Sequence, residues 1–369
     1  MDKNRKIIYS TLDYLLISLA VVCALFGVLA ISSAVHSMAD STKFIIIQSA
    51  GVLLGLGAMF IIAAFDYEYL GDLSKFIYIA CIAMLILVLL IGTGEEIGSK
   101  SWIRLGPVGI QPSELAKIGF ILTFSRHVSS IKEDINHPLN VLKLLLHMGV
   151  LLGLILLQPD FGTAMVFICI FCGILFVAGI SWKYMLAAGI SLTAAAPVLW
   201  FGFFSEYQKK RLLVFLNPEI DPSGSGYHVM QSKIAVGSGQ IFGKGLFHGT
   251  QTQLEYLPAK HTDFIFSAIG EELGLIGCVL VLALLFALVF RCLFNARLAK
   301  DDFGSLICIG VAFMFLAHIF ENIGMCIGLM PVTGIPLPFF SYGGTSVVTN
   351  FIAVGLVLNV YMRRKMINF

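Results

Sequence analysis

Hydrophobic residues in this chain come in long, nearly uncharged runs, not in the short alternations of soluble strands. Crossing the hydrocarbon core of a bilayer takes about 20 apolar residues, because only a helix satisfies its own backbone groups there. Ten runs meet that description, at roughly 12–35, 44–65, 75–92, 113–128, 141–157, 161–180, 184–204, 263–290, 303–329 and 341–361. They predict an all-α polytopic membrane protein of about ten transmembrane helices, with the chain 1–369 forming a single transmembrane domain. One polar break stands out, the stretch of about 58 residues from 205 to 262 between the seventh and eighth runs, too long to be a simple connection. Inside it, 227–241 mixes Val229, Met230, Ile234 and Ile241 with His228, Gln231 and Lys233, the pattern of a helix lying in the interface as a floor or lid.

Composition agrees: 58% hydrophobic and 12% charged residues exclude an ordinary soluble domain. Charge decides the orientation. Lys3, Arg5 and Lys6, then Arg126, Lys132 and Lys143, then Arg291, Arg297 and Lys300, and finally Arg363, Arg364 and Lys365 all fall on one side of a ten-span layout. By the positive-inside rule that side is cytoplasmic, both termini included, and the long loop is outside. These basic residues are spent on topology, so the net charge of +2 leaves no patch for nucleic acid. The first run reads as a retained anchor, without a convincing cleavage site. All eight cysteines lie in or at the ends of runs, which argues against a disulfide framework.

Chemistry gathers at the outer ends of the runs. The stretch Gly249 to Gly274, GTQTQLEYLPAKHTDFIFSAIGEELG, passes from polar loop to apolar helix with Asp263 at the mouth and Lys260 and His261 just before it. A carboxylate among basic neighbours at a membrane edge suits chemistry on the polar head of a lipid; the plainer alternative is a helix cap. Gly270 and Gly274 return to the face of Asp263 and would leave room beside it, while Glu272 points away. In the outer segment before the fourth run come Trp102, Arg104 and then Gln111-Pro112-Ser113-Glu114, with Lys117 three residues after Glu114 on the same helix face. Lys117 is either half of a structural ion pair or a cation held charged to bind phosphate. Gln158-Pro159-Asp160 repeats the entry on the same side, and Pro331 to Gly344, PVTGIPLPFFSYGG, ends in a Ser341-Tyr-Gly-Gly helix entry whose backbone N–H groups suit an anion. In the ninth run His318, Glu321 and Asn322 read as contacts to other helices, not as metal ligands.

Taken together, QPSELAK (Gln111 to Lys117), QPDFGTA (Gln158 to Ala164), the Gly249–Gly274 stretch and NIGMCIGLMPVTGIPLPFFSYGGTS (Asn322 to Ser346) resemble the SEDS family, the shape, elongation, division and sporulation proteins. The GTQTQL segment looks like the elongation branch. The resemblance implies a peptidoglycan glycosyltransferase that polymerises lipid II in the bacterial cytoplasmic membrane. It also implies a class B penicillin-binding protein as transpeptidase partner, alongside other elongation-machinery proteins. It maps the essential carboxylate onto Asp263 and supporting polar residues onto Glu114, Lys117 and Asp160. Ala259 stands where many members carry Glu, which removes any carboxylate role there. Making a β-1,4 glycan from an α-linked sugar pyrophosphate requires inversion, hence one displacement with a general base and a cation on the leaving group. On that reading Asp263 is the base, kept ionised by the helix N-terminus and Lys260. Lys117 and Arg104 are candidates for the pyrophosphate, and Gln111, Trp102, Lys260, His261 and Ser341 complete the substrate-binding set. Mg²⁺ or Mn²⁺ would assist on Asp160 or Glu114. The competing readings are a lipid II flippase and a non-catalytic scaffold.

Overall fold

The computed structural model describes residues 12–93, 101–105, 108–203, 206–222 and 224–364. Lys3, Arg5, Lys6 and Lys365, among the basic residues that set the orientation, lie outside the described residues. In chain order the elements are α1 (Tyr14–Ala34), α2 (Ser41–Ala64), the short α3 (Tyr67–Asp72), α4 (Ser74–Ile91), strands β1 (Ile103–Leu105) and β2 (Val108–Ile110), α5 (Pro112–Ser130), α6 (Pro138–Leu156), α7 (Phe161–Ala178) and α8 (Trp182–Val198). Then come α9 (Glu206–Leu216), α10 (Ser225–Ser238), the single turn α11 (Thr250–Gln253), α12 (Ile265–Leu298), α13 (Asp302–Cys326) and α14 (Gly344–Met362).

Every one of the ten apolar runs is helical. Eight helices are long and apolar enough to cross a bilayer: α1, α2, α4, α6, α7, α12, α13 and α14. The other two fall short for visible reasons. α5 carries Glu114, Lys117 and Arg126 and buries most of its length among its neighbours; α8 has 17 residues and passes into a π-helical turn, Leu199–Phe203. Aspartates start four of the helices: Asp13, Asp66, Asp160 and Asp301 each accept a hydrogen bond from a first-turn N–H, satisfying donors a helix start otherwise leaves bare.

α2 and α14 form the most extensive helix pair. The small residues Gly51 and Gly55 allow it, because a Cβ at Gly55 would sit 2.5 Å from the Phe351 ring. Gly57, in the same cluster, faces open space and has no packing role. The buried Phe339 ring packs edge-on against Phe351 at 5.1 Å and beside Phe315 at 6.0 Å, so the centre of the bundle is aromatic.

Three features depart from the sequence reading. First, the fold is not purely helical: β1 and β2 pair antiparallel, Thr93 bridges to Trp102, and Thr345 Oγ1 ties the hairpin to the start of α14 through the Gly109 carbonyl at 2.9 Å. Second, the long loop carries α9 and α11 besides the helix expected over 227–241, which runs Ser225–Ser238 with Val229, Ser232 and Ala235 buried and Met230 and Ile234 left exposed. Third, α12 is not one continuous span. Gly274 has φ +66° and ψ −161°, a conformation essentially restricted to glycine, and breaks the helix in two. The amides freed by the break are recovered, since Leu275 N donates to Gln240 O at 2.8 Å and Ile276 N to Ile241 O at 3.2 Å. At 1.5 Å per residue, the segment after the break is about 36 Å long and suffices to cross by itself.

The break also fills the room expected beside Asp263. A Cβ on Gly274 would lie 2.4 Å from Gly243 N, and one on Gly239 would lie 1.9 Å from Gly270 O, so the turn before α11 presses into the glycine face. Gly274→Ala therefore meets both a forbidden φ and a backbone collision. It should cost about 1–3 kcal/mol or more. The check is the thermal midpoint of the purified protein in detergent, which should fall by several degrees, whereas Gly57→Ala should leave it unchanged.

Candidate active site

The end of the bundle that carries Asp263 is closed by an irregular strap, residues 331–343, running between α13 and α14. Ile335, Leu337, Phe339 and Phe340 are buried, so the strap is held inside the protein. Several of its polar groups find partners inside the protein, although the Thr333 hydroxyl is buried without one. Asn322 Nδ2 donates to Ile335 O at 2.8 Å, His318 Nδ1 bonds Pro336 O at 3.0 Å, and Leu337 N donates to Ser341 Oγ at 2.7 Å. Gln48, from α2, donates to Ser341 O and accepts from Gly343 N. Gln48, His318 and Asn322 come from apolar helices where each would otherwise be a liability.

The strap and the Asp263 segment share their anchors. Asn322 Nδ2 also donates to Asp263 O at 2.8 Å, Ser341 Oγ donates to Thr262 O at 2.7 Å, and Tyr342 N donates to His261 O at 2.8 Å. The Asp263 main chain is thereby fixed on both sides while its carboxylate stays out of the helix-capping role: Phe264 occupies the cap position of α12 and no side chain caps it. Gly334, with φ +75°, lies beside the carboxylate, so that a side chain there would reach Asp263 Oδ2 at 3.6 Å. Asp263 is partly exposed. Burial raises its carboxyl to about 6, and the charge of Arg211, on α9, works against that rise. The helix N-terminus and Lys260, expected to favour the charged form, are not the groups that act on it; burial and Arg211 are.

Lys260 is turned to other work. Its ammonium donates to Ser37 Oγ and to Thr252 O, each at 2.7 Å, and is 4% exposed. It clips the GTQTQ turn to the end of α1. His261 is wedged between the rings of Phe44 and Tyr342, at 5.0 and 5.5 Å, and burial takes its imidazole down to about 4, so it is neutral. Ser341 Oγ accepts from Leu337 N of the strap and donates to Thr262 O. Lys260 and Ser341 are thus spent on the protein itself, whereas His261 Nδ1 is buried without a hydrogen-bond partner.

A second cluster sits across the strap. Lys117, fully buried, donates to Glu114 Oε1 at 2.7 Å and lies 2.7 Å from His318 Nε2. Because His318 Nδ1 faces a carbonyl, its proton sits there, and Nε2 accepts from the ammonium. Glu114, Lys117, His318 and Pro336 O thus form one chain of hydrogen bonds. Asp160 caps α7 through Thr163 N at 3.1 Å and Thr163 Oγ1 at 2.8 Å, and accepts from Gln111 Nε2 at 3.3 Å, joining the two Gln-Pro entries. Burial raises the Asp160 carboxyl. Glu321, one residue before Asn322, is buried with Oε2 unbonded. The strap wedges into this cluster, as a Cβ on Gly162 would lie 2.5 Å from Ile335.

Arg104 is exposed on β1 and Trp102 half-buried beside Gly109, both on the hairpin and without a bond to either cluster. Of the sequence-derived set, then, the fold joins Gln111, Glu114, Lys117 and Asp160, links them to Asp263 through α13 and the strap, and leaves Trp102 and Arg104 apart. Sequence reasoning missed Arg211 as the cation sensed by Asp263; it sat among the discounted charges of a long loop. It also took Glu271 and Glu272 for residues inside a span. Glu271 instead receives Lys244 Nζ at 2.8 Å, Gln251 N at 2.8 Å and Thr252 N at 2.9 Å, while Glu272 binds Ser33 and Gln253. Among the described residues no three His, Cys, Asp or Glu side chains are grouped to hold a metal ion. Asp160 and Glu114 are already engaged.

Residues 13–366 match the cell cycle protein family model that joins FtsW, RodA and SpoVE. The chain is 38% identical over 321 residues to the peptidoglycan glycosyltransferase MrdB of Escherichia coli K12, covering 86% of this chain and 85% of that one. It is 36% identical over 356 residues to the probable peptidoglycan glycosyltransferase FtsW of Trichlorobacter lovleyi, covering 94% and 92%. A solved structure described as structural coordination of polymerization and crosslinking by a peptidoglycan synthase complex superposes with TM-score 0.82 at 30% identity, over 96% of this chain and 98% of that one. The rod shape determining protein RodA of Thermus thermophilus superposes with TM-score 0.73 at 28% identity, over 96% and 98%. With the family model matched almost from end to end, this multi-span membrane protein belongs to the FtsW, RodA and SpoVE family of cell cycle proteins.

Proposed function

We propose that the chain is a peptidoglycan glycosyltransferase that polymerises lipid II by inverting transfer during cell elongation. The observation that carries this reading is Asp263: a carboxylate fixed by its main chain, uncapped, partly open, and raised to about 6. A general base is most useful when its pKa lies near the working pH. At neutral pH most of it is ionised yet basic enough to accept a proton. The acceptor sugar hydroxyl attacks the anomeric carbon, its proton passes to Asp263, and the bond to the pyrophosphate oxygen breaks as the glycosidic bond forms. The leaving pyrophosphate takes the electron pair and needs a cation. Arg211, on α9, whose charge reaches Asp263, is the candidate for that role.

In this reading Glu114, Lys117, Gln111 and Asp160 are positioning residues. Glu114 and Lys117 hold the strap through His318, and Gln111 and Asp160 tie the starts of α5 and α7 together beside it. No step is routed through a metal ion, since the described acidic residues do not assemble a site; an ion would have to share one carboxylate with the substrate phosphates. The Asp263 end faces outward and the termini lie in the cytoplasm. The ion pairs Arg363–Asp66, Lys300–Glu68, Arg126–Asp72 and Lys132–Asp302 support this, because they concentrate basic residues at the end of the bundle opposite Asp263. A class B penicillin-binding protein crosslinks the product.

Asp263→Asn keeps size and removes the base. Fluorescent lipid II incubated with the purified protein, its transpeptidase partner, and Mg²⁺ or Mn²⁺ in separate reactions should give long glycan with the parent and none with the variant. Because burial opposes the ionised carboxylate, the variant should melt no lower than the parent at pH 7.5. If both proteins are inactive in every reaction while vesicles carrying them move lipid II across the membrane, the flippase replaces this reading.

The pH dependence has a definite sign. A carboxyl raised from 3.8 to about 6 holds its proton in the folded protein after the unfolded chain has lost it, so its contribution to stability falls as pH rises through that window. The rate does the opposite. It should rise tenfold per unit up to about pH 6 and then level, and Arg211→Gln should move that inflection upward, because the cation that holds the Asp263 carboxyl down is gone. An unmoved inflection would detach Arg211 from the site.

A further inference from the structure

At the end of α12 opposite Asp263, an open groove of about 630 Å³ runs between α12 and the start of α1. Leu15, Leu19, Phe290 and Leu293 line it, and Arg291 and Arg297 rim it. Both helices are membrane spans, so the groove opens toward lipid. A cation on a lipid-facing surface is costly unless it is paired or reaches the interface. Arg291 is paired: its Nε donates to Asp13 Oδ2 at 2.7 Å, Asn295 Nδ2 donates to the same oxygen at 2.8 Å, and its guanidinium lies 4.9 Å over the Phe294 ring. Arg297 is different. It is exposed, two turns further along, in the last turn of the helix, and among the described residues it forms no ion pair.

The charges decide what the groove takes. Asp13 neutralises Arg291, so Arg297 leaves the rim with one net positive charge above an apolar trough. Two cations about 9 Å apart along the axis, over a channel of leucine and phenylalanine, match one phosphate headgroup above one acyl chain. We propose that this groove binds an anionic phospholipid, its headgroup between Arg297 and Arg291 and an acyl chain along Leu19 and Phe290. The site is separate from the Asp263 pocket and independent of the reaction assigned there. Its lipid would brace α1 against the lower half of α12, the helix whose upper end leads to Asp263.

The test is native mass spectrometry of the full-length protein released from nanodiscs containing palmitoyl-oleoyl phosphatidylglycerol and phosphatidylcholine in equal amounts. The parent should retain phosphatidylglycerol in preference by about fivefold, the scale of one basic contact at a membrane surface. Arg297→Gln should abolish the preference, and Ala287→Trp, which fills the trough and keeps both arginines, should abolish retention of either lipid. A photoreactive benzoylphenylalanine substituted at Leu293 should crosslink to lipid in membranes. Equal retention of the two lipids by the parent, or an Arg297→Gln profile identical to the parent's, overturns the proposal. So does a crosslink that goes to protein, which would make the groove a seat for a partner's transmembrane helix.

Discussion

A stretch of non-helical backbone buried among membrane helices must find a partner for nearly every N–H and C=O it exposes, and the whole outer end of this bundle is arranged around meeting that demand for residues 331–343. Leaving one buried carbonyl or amide unbonded costs about 1–3 kcal/mol. Gln48, His318, Asn322 and Ser341 each serve two groups, and Asn322 and Ser341 also bond the chain at Asp263 and Thr262. Rigidity of the strap and rigidity of the carboxylate are therefore one property. The Glu114–Lys117 pair follows the same logic: its ammonium saturates His318 Nε2, which fixes the tautomer that lets Nδ1–H reach Pro336 O.

The spans were legible because membrane solvation gives a long, unambiguous signal: only helices of about 20 apolar residues survive there. Asp263, Glu114, Lys117 and Asp160 were legible as well, since ionisable side chains at span ends stand out against an apolar background. What the pattern hid was direction and partner. Lys260 and Asp263 are three residues apart, yet the positive φ of Ala259 turns the chain, and Lys260 goes to Ser37, more than 220 residues away in sequence. Glu271 looked like a charge buried in a span, although its acceptors are taken up by the turn Thr250–Gln253, on the far side of a helix break that one glycine sets. Periodicity carries no record of such a break, because the apolar run continues through it. The hairpin was hidden for a simpler reason. Two three-residue strands are too short to establish an alternating pattern.

Arg211 shows how a charge changes meaning with fold. In the sequence it sits with Lys209 and Lys210 in a loop that translocates regardless of its basic residues, which is reason to ignore it. Once α9 and α10 fold over the bundle end, it becomes the cation that Asp263 senses, while the two lysines nearest the carboxylate in sequence and motif, Lys260 and Lys117, are consumed by hydrogen bonds.

The two ends of α12 answer opposite requirements, and the break at Gly274 separates them. Below it, Asp13 receives Leu16 N, Arg291 and Asn295, so that every buried charge has partners and the helix is locked to α1. Above it, the carboxylate of Asp263 is left without such partners and is destabilised in its ionised form. A continuous helix would have capped itself with that aspartate and stabilised the charge by the favourable field at its N-terminus, lowering its basicity. Shifting the helix start to Phe264 and fixing Asp263 by its carbonyl instead of its side chain withholds that stabilisation. The same geometry that costs the fold some stability is what leaves a carboxylate basic enough to accept a proton near neutral pH.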